Sequence, residues 1–202
     1  MSKRKLIIAV FGLFMTVITA LYATPRKPAV SKEQFLGLPV VNGVVGQNAE
    51  IAFVSRVVDG DTIDVQPVDA VTGVFGKQET VRYIGMDTPE TVSPSKPVEC
   101  YGHEASARNK ELVEGKYVAL IKDKGDKDKY GRLLRFVYLV NEASGTISTG
   151  TFINLELVNE GMARVLSVPP NTALAPQFMA AAVAAQSAKL GFWGNCSSSP
   201  FK

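Results

Sequence analysis

The 202-residue chain contains a single histidine, His103. That scarcity excludes mechanisms needing two histidines and any zinc site built on them. The absence of a Gly-x-Ser-x-Gly segment removes the strand-to-helix elbow that supports many serine triads. Cysteine is almost as rare: Cys100 and Cys196 are the only two, and the Cys-x-x-Cys spacing of zinc and thioredoxin-like sites is missing. A global basic surface is lacking too. Lys3, Arg4 and Lys5 account for the whole formal charge of +3, because removing them from the 22 Lys and Arg leaves no more bases than the 19 acids. An anionic partner must therefore be held by locally placed cations. No internal repeat is visible.

The apolar fraction of 46% is ordinary for a folded protein, and the length suits one well-packed domain with tails. The N-terminus stands apart. "MSKRK" precedes the uncharged apolar run "LIIAVFGLFMTVITALY" and the helix-breaking "ATPRKP". Residues 1–24 are expected to be a signal peptide or a membrane anchor; Ala20 and Ala23 are candidate cleavage residues, and the run is about as long as a short spanning helix. Either way the basic flank stays inside, and the remainder is expected outside the cytoplasm, secreted or membrane-anchored. An oxidising compartment favours a disulfide between Cys100 and Cys196 over two buried thiols. Residues 25–49, with Pro25, Pro28, Pro39, Gly43 and Gly46, are expected to form a linker.

Folding proper is expected to start near Ala49. "EIAFVSRVVDGDTIDVQPV", broken at Asp59-Gly60, and "VTGVFGKQETVRYIG" predict two or three antiparallel strands. "HEASARNKELVEG" predicts an amphipathic helix that stops at Gly115, with His103 near its start, where capping or exposure accounts for it. "KYVALIKD" and "RLLRFVYLV" predict strands joined by the charged "KDKGDKDKYG". "FINLELVNEGMA" predicts a short helix, and "PQFMAAAVAAQSAKLG" a longer one with proline in its first turn and Gly191 at its end. The sum is an α+β domain with a small antiparallel sheet or barrel.

Without paired histidines, hydrolytic chemistry falls to carboxylates and a metal. "DGDT" places Asp59 and Asp61 around one turn, and "DTPE" places Asp87 and Glu90 around another. Singly each acid is an ordinary turn-former; jointly they supply the oxygen donors from separate loops that a hard cation takes. "DKDKYG", residues 126–131, is not an EF-hand, because Tyr130 and Val137 occupy its fifth and twelfth positions. It is either a solvated hairpin tip or a phosphate grip by Lys127, Lys129 and Tyr130. Arg82 is expected to share a strand face with Ile84 and Met86, where it needs a carboxylate or phosphate partner. Arg132 takes a similar place at the start of the apolar strand after "KYG". A planar guanidinium suits phosphate geometry.

Six blocks together resemble the staphylococcal nuclease (thermonuclease) family: "VVDGDT" (57–62), "VRYIGMDTPE" (81–90), "ECYGHEAS" (99–106), "DKYGRLLRFVY" (128–138), "NLELVNEGMARV" (154–165) and "KLGFWG" (189–194). They cover essentially all of residues 50–195; the domain is expected over 50–196, with 197–202 as a C-terminal tail. The resemblance implies a five-stranded antiparallel OB-type barrel with three helices. It also implies a calcium-dependent nuclease acting on DNA and RNA, single-stranded or denatured chains favoured, that leaves 3′-phosphate ends. Carried over by motif, Asp61, Asp87 and the Thr88 carbonyl would hold Ca2+, and Glu90 would be the general base. Arg82 and Arg132 would contact the scissile phosphate, and Lys129 with Tyr130 a neighbouring phosphate. Two departures stand out. "RVLSVPPN", with Leu166, Ser167 and Pro169, replaces tyrosines that stack near the base, and the pair Cys100 and Cys196 suggests a staple from the C-terminal segment to the loop before the first helix. No obligate protein partner is implied. The rival expectation is a catalytically silent OB-type binding module; a third is an anchored interaction protein.

Overall fold

The computed structural model describes residues 49–69, 72–91, 97–143 and 146–198. The expected signal or anchor and all of the expected linker except Ala49 lie outside the described residues, as do the last four residues of the expected tail. Among the described residues no helix is long and apolar enough to cross a membrane.

In chain order the elements are β1 (Glu50–Asp59), β2 (Thr62–Pro67), β3 (Glu79–Tyr83), β4 (Gly85–Asp87), α1 (Gly102–Val113), β5 (Tyr117–Ile121), β6 (Leu133–Ala143), β7 (Thr146–Phe152), α2 (Ile153–Asn159), β8 (Arg164–Leu166), α3 (Ala175–Ser187) and the one-turn α4 (Phe192–Asn195). The sheet order β3-β2-β1-β5-β6-β7 closes through an additional β3–β6 pairing, so five strands form an OB-type barrel and β7 extends from β6 as a hairpin. Three longer helices accompany it, as expected.

One feature of the expected barrel needs correction: it is mixed, not purely antiparallel. β6 runs parallel to β3, with Val81 opposite Leu133 and Tyr83 opposite Arg135. The reason is parity. Every other joint of the ring is antiparallel, and a closed ring with an odd number of strands cannot alternate direction throughout. Register shifts at Val54/Arg56 and Val57/Asp59 let β1 bend around the barrel.

Val54, Ile63, Val65, Val81, Val118, Leu120 and Val137 are fully buried, as the β-branched runs require. Ile153, Leu157 and Phe178 extend this core into α2 and α3. The strand expected through 81–86 breaks at Ile84. Gly85 has φ 86°, open to glycine without strain, and a methyl group there would overlap the Phe178 ring of α3. The chain then re-pairs as β4 with β8, Asp87 facing Arg164. The α3 helix ends at Ser187, short of the expected Gly191, because Lys189 takes a left-handed conformation (φ 53°).

Two buried amides hold the loops around this break. Asn154 accepts the Val137 N–H at 2.8 Å and donates to the carbonyls of Ile84 (3.0 Å) and Arg135 (3.2 Å). Asn109 on α1 donates to the Asp59 carbonyl at 3.1 Å and accepts the Tyr83 hydroxyl at 3.0 Å. With no Asn109 or Asn154 side-chain surface to spare for water, these bonds anchor the acid-rich turns to the helices.

Candidate active site

The turn between β1 and β2 carries the first acids. Asp59 Oδ1 accepts the Gly60 N–H (2.8 Å) and the Thr91 hydroxyl (2.6 Å). Asp61 Oδ1 accepts the Thr62 hydroxyl (3.0 Å), while its Oδ2 accepts both the N–H (3.0 Å) and hydroxyl (3.1 Å) of Thr88. The two acid-rich turns are therefore laced together across 27 residues. Their approach requires glycine at position 60, because a Cβ there would fall 2.7 Å from Thr88 Oγ1.

Arg82 bridges the turns. From β3 its Nη1 is ion-paired with Asp61, and its Nη2 donates to Asp87 Oδ1 at 2.6 Å. Only 12% of its side chain is exposed, which answers the expectation that a guanidinium here needs carboxylate or phosphate. Burial lowers the Arg82 pKa; Asp87 offsets that, and the nearby positive charge of Arg132 lowers it further. Asp87 Oδ2 accepts a second guanidinium, Arg164 Nε (3.1 Å) and Nη2 (2.8 Å).

Glu90 is fixed through its backbone. Its N–H donates to Glu99 Oε2 at 2.9 Å, and the Glu99 N–H donates back to the Glu90 carbonyl at 2.9 Å. The Glu90 carboxyl lies beside Asp59. Burial pushes the Asp59 carboxyl above its ordinary range; the Thr91 and Gly60 bonds oppose this, and Glu90 adds to the rise. The expected disulfide is formed: Cys100 and Cys196, with Cα atoms 6.1 Å apart, join the residue after Glu99 to the end of α4.

Arg132 lies near Arg82, its Nε donating to Asp128 Oδ2 at 2.7 Å and its backbone N–H to Asp128 Oδ1 at 3.0 Å. Burial alone would raise the Asp128 pKa, but these bonds and one from the Tyr130 N–H hold it below the ordinary 3.8. Lys129 (5.0 Å) and Arg132 (5.4 Å) pack on the Tyr130 ring, which is 72% exposed. Arg82, Lys127, Lys129, Tyr130 and Arg132 line one cavity of about 450 Å³, whose opposite wall is formed by Leu166, Val168, Pro169 and Pro170.

The predicted cations are thus gathered in one cavity. Asp61 and Asp87 pair with Arg82, and neither they nor Thr88 and Glu90 line that cavity. His103 is exposed at the start of α1. Sequence reasoning missed Arg164 and Glu99. Arg164 meets Asp87 across 77 residues through β-pairing, and Glu99 acts on a backbone, so neither left a local signal.

A family model described as "Staphylococcal nuclease homologue" matches residues 80–195. The chain is 39% identical over 153 residues to the "Thermonuclease" of Staphylococcus hyicus, covering 76% of this chain and 81% of that protein. The chain belongs to the staphylococcal nuclease family. Two further members, both from Bacillus subtilis (strain 168), are 44% identical: "Endonuclease YncB" over 141 residues and "SPbeta prophage-derived endonuclease YokF" over 140. The match covers 68% of this chain in each case, but only 59% and 42% of those relatives.

The donor set of this family member suits a hard divalent cation. The Asp61 and Asp87 carboxylates both reach one guanidinium, so they face a common point; Asp59 acts on the same guanidinium, and Glu90 neighbours Asp59. Among the described residues no three acidic, histidine or cysteine side chains form a metal cluster. A cation there would complete its shell with backbone carbonyl and water, as calcium commonly does.

Proposed function

We propose that this protein is a calcium-dependent phosphodiesterase that hydrolyses DNA and RNA with little sugar or sequence specificity, leaving 3′-phosphate ends. One observation carries this reading above all: Arg82 connects an acid cluster to a cavity that it shares with a second arginine, Arg132. Guanidinium groups next to carboxylates support this reading, since the former suit phosphate and the latter can take a proton from water. The printed names of the relatives agree in kind.

On this reading residues 50–196 are the nuclease domain, exported behind residues 1–24 as a cleaved signal or a membrane anchor, with residues 25–49 as a linker. Asp61, Asp87 and the Thr88 carbonyl would hold Ca2+, which when bound supplies charge neutralisation and polarisation at a phosphate oxygen. Glu90 accepts a proton from the attacking water, so that a water oxygen bonds to phosphorus as the bond to the 5′ oxygen breaks, and that oxygen takes a proton from solvent and leaves as a hydroxyl. Arg82 and Arg132 neutralise the charge growing on the equatorial oxygens. Lys129 and Tyr130 grip a neighbouring phosphate, and Lys127, which lines the same cavity, is a further substrate-binding cation. The aliphatic wall of Leu166, Val168 and Pro169 offers the base apolar contact in place of aromatic stacking, and single-stranded or denatured chains can reach it most readily.

The test is digestion of denatured DNA and of RNA by the purified exported chain. Both should be degraded with calcium and spared on chelation, with 3′-phosphate product ends. Activity that survives chelation refutes the cation assignment. Binding without cleavage at any calcium concentration identifies a silent OB-type module instead.

A further inference from the structure

A second cavity of about 300 Å³ adjoins the first and is lined by Lys77, Gln78, Glu79, Thr80, Lys127, Tyr130, Gly131 and Arg132. Lys127, Tyr130 and Arg132 line both cavities, so they form the partition between them. The volume is at the lower limit of the roughly 300–1,000 Å³ typical of ligand sites. The two chambers differ in chemistry. The first has an aliphatic wall, whereas every residue lining the second except Gly131 carries a polar or charged side chain.

We propose that this second cavity is a backbone subsite for a polynucleotide, in which Lys77 and Lys127 hold the phosphate on the far side of the scissile bond from the one gripped by Lys129. The inference rests on the nuclease reading and extends it from a single phosphodiester to a tracked strand. Three observations support it. Lys77 is exposed and, among the described residues, has no ion-pair partner. Lys127 is paired only loosely, its Nζ 3.6 Å from Glu79 Oε2, a contact that a doubly liganded phosphate can displace. Arg132 is engaged by Asp128, so the local excess of positive charge falls to the two lysines against Glu79. In a domain with no net positive charge to steer nucleic acid, a placed excess of this kind decides where the strand runs.

Chain geometry sets the reach. Lys77 precedes Arg82 by five positions on the segment that becomes β3, at most ~17 Å at about 3.3 Å per residue. An extended strand of several nucleotides crosses that distance. A dinucleoside monophosphate, which carries only the scissile phosphate, does not.

The experiment compares wild type, Lys77→Ala and Lys77→Arg on a long oligothymidylate and on a dinucleoside monophosphate. Lys77→Ala should lower kcat/KM for the long substrate about three- to tenfold, through KM with kcat unchanged, and should leave the dinucleoside monophosphate unaffected. The salt slope of oligothymidylate binding should fall by about 0.7, the value for one lost single-strand phosphate contact, and Lys77→Arg should restore it. Equal losses on both substrates, or no loss on the long one, overturn the subsite. If wild type cleaves neither substrate, the nuclease reading fails separately. Oligothymidylate binding by fluorescence anisotropy then decides the subsite, and an affinity and salt slope unchanged by Lys77→Ala overturn it.

Discussion

Replacing both cysteines, Cys100→Ser with Cys196→Ser, tests the staple between α4 and the loop that holds Glu90. The bridge closes a loop with a sequence separation of 96. Loop-closure entropy for ~100 residues is about 4.7 kcal/mol at 25 °C, and native bridges of this kind contribute about 2–5 kcal/mol. The folded state should survive the change, because Phe192 keeps α4 docked as one of the fully buried side chains. The cost therefore falls mainly on the unfolded ensemble, which expands when the cross-link goes. Urea denaturation of the oxidised wild type, the reduced wild type and the double variant should show about 2–5 kcal/mol lost in the last two, with a larger m-value from the more open unfolded chain. The refuting outcome is a double variant within about 1 kcal/mol of the oxidised wild type at equal m-value, which would mean the bridge constrains little in either state.

Other expectations follow from single contacts. Asp128 has a folded pKa below its ordinary 3.8, so its stabilisation is present above that pH and is lost as pH falls through the lower folded value. Asp128→Ala should cost about 1–2 kcal/mol at neutral pH, and the gap to wild type in urea titrations should narrow below pH 3.8; a gap independent of pH contradicts the assignment. Asn154→Ala removes the partner of the Val137 N–H and of two carbonyls in a dry site. It should cost about 2–4 kcal/mol by thermal or urea denaturation, and a loss under about 1 kcal/mol would show that the strand break at Ile84 does not depend on it.

Local patterns in the sequence carried much of this architecture. The β-branched runs at 50–67 and 117–121 and the proline and glycine marks around α3 predicted elements close to those observed, because strand and helix formation there agree with nearest-neighbour preferences. The hairpin strand β7, Thr146–Phe152, was not anticipated: its polar "TISTGTF" has little of the apolar pattern by which a strand is recognised. The parallel β3–β6 joint depends on ring closure across some fifty residues of intervening chain, a property of topology and not of any window. Within the candidate site, Asp61, Asp87 and Glu90 were legible because turn acids recur at short spacing. What the turns do to one another was not, since the Thr88 bonds to Asp61 and the Arg164 fork on Asp87 arise from chain crossings.

In the proposed mechanism Glu90, held beside Asp59, moves the proton that makes water a nucleophile. The most direct test of that role is Glu90→Gln assayed for turnover of denatured DNA with calcium, alongside binding of a non-hydrolysable oligonucleotide. A fall in kcat of about 10²–10⁴ is expected, with binding within about threefold of wild type. Turnover within about threefold of wild type would contradict it.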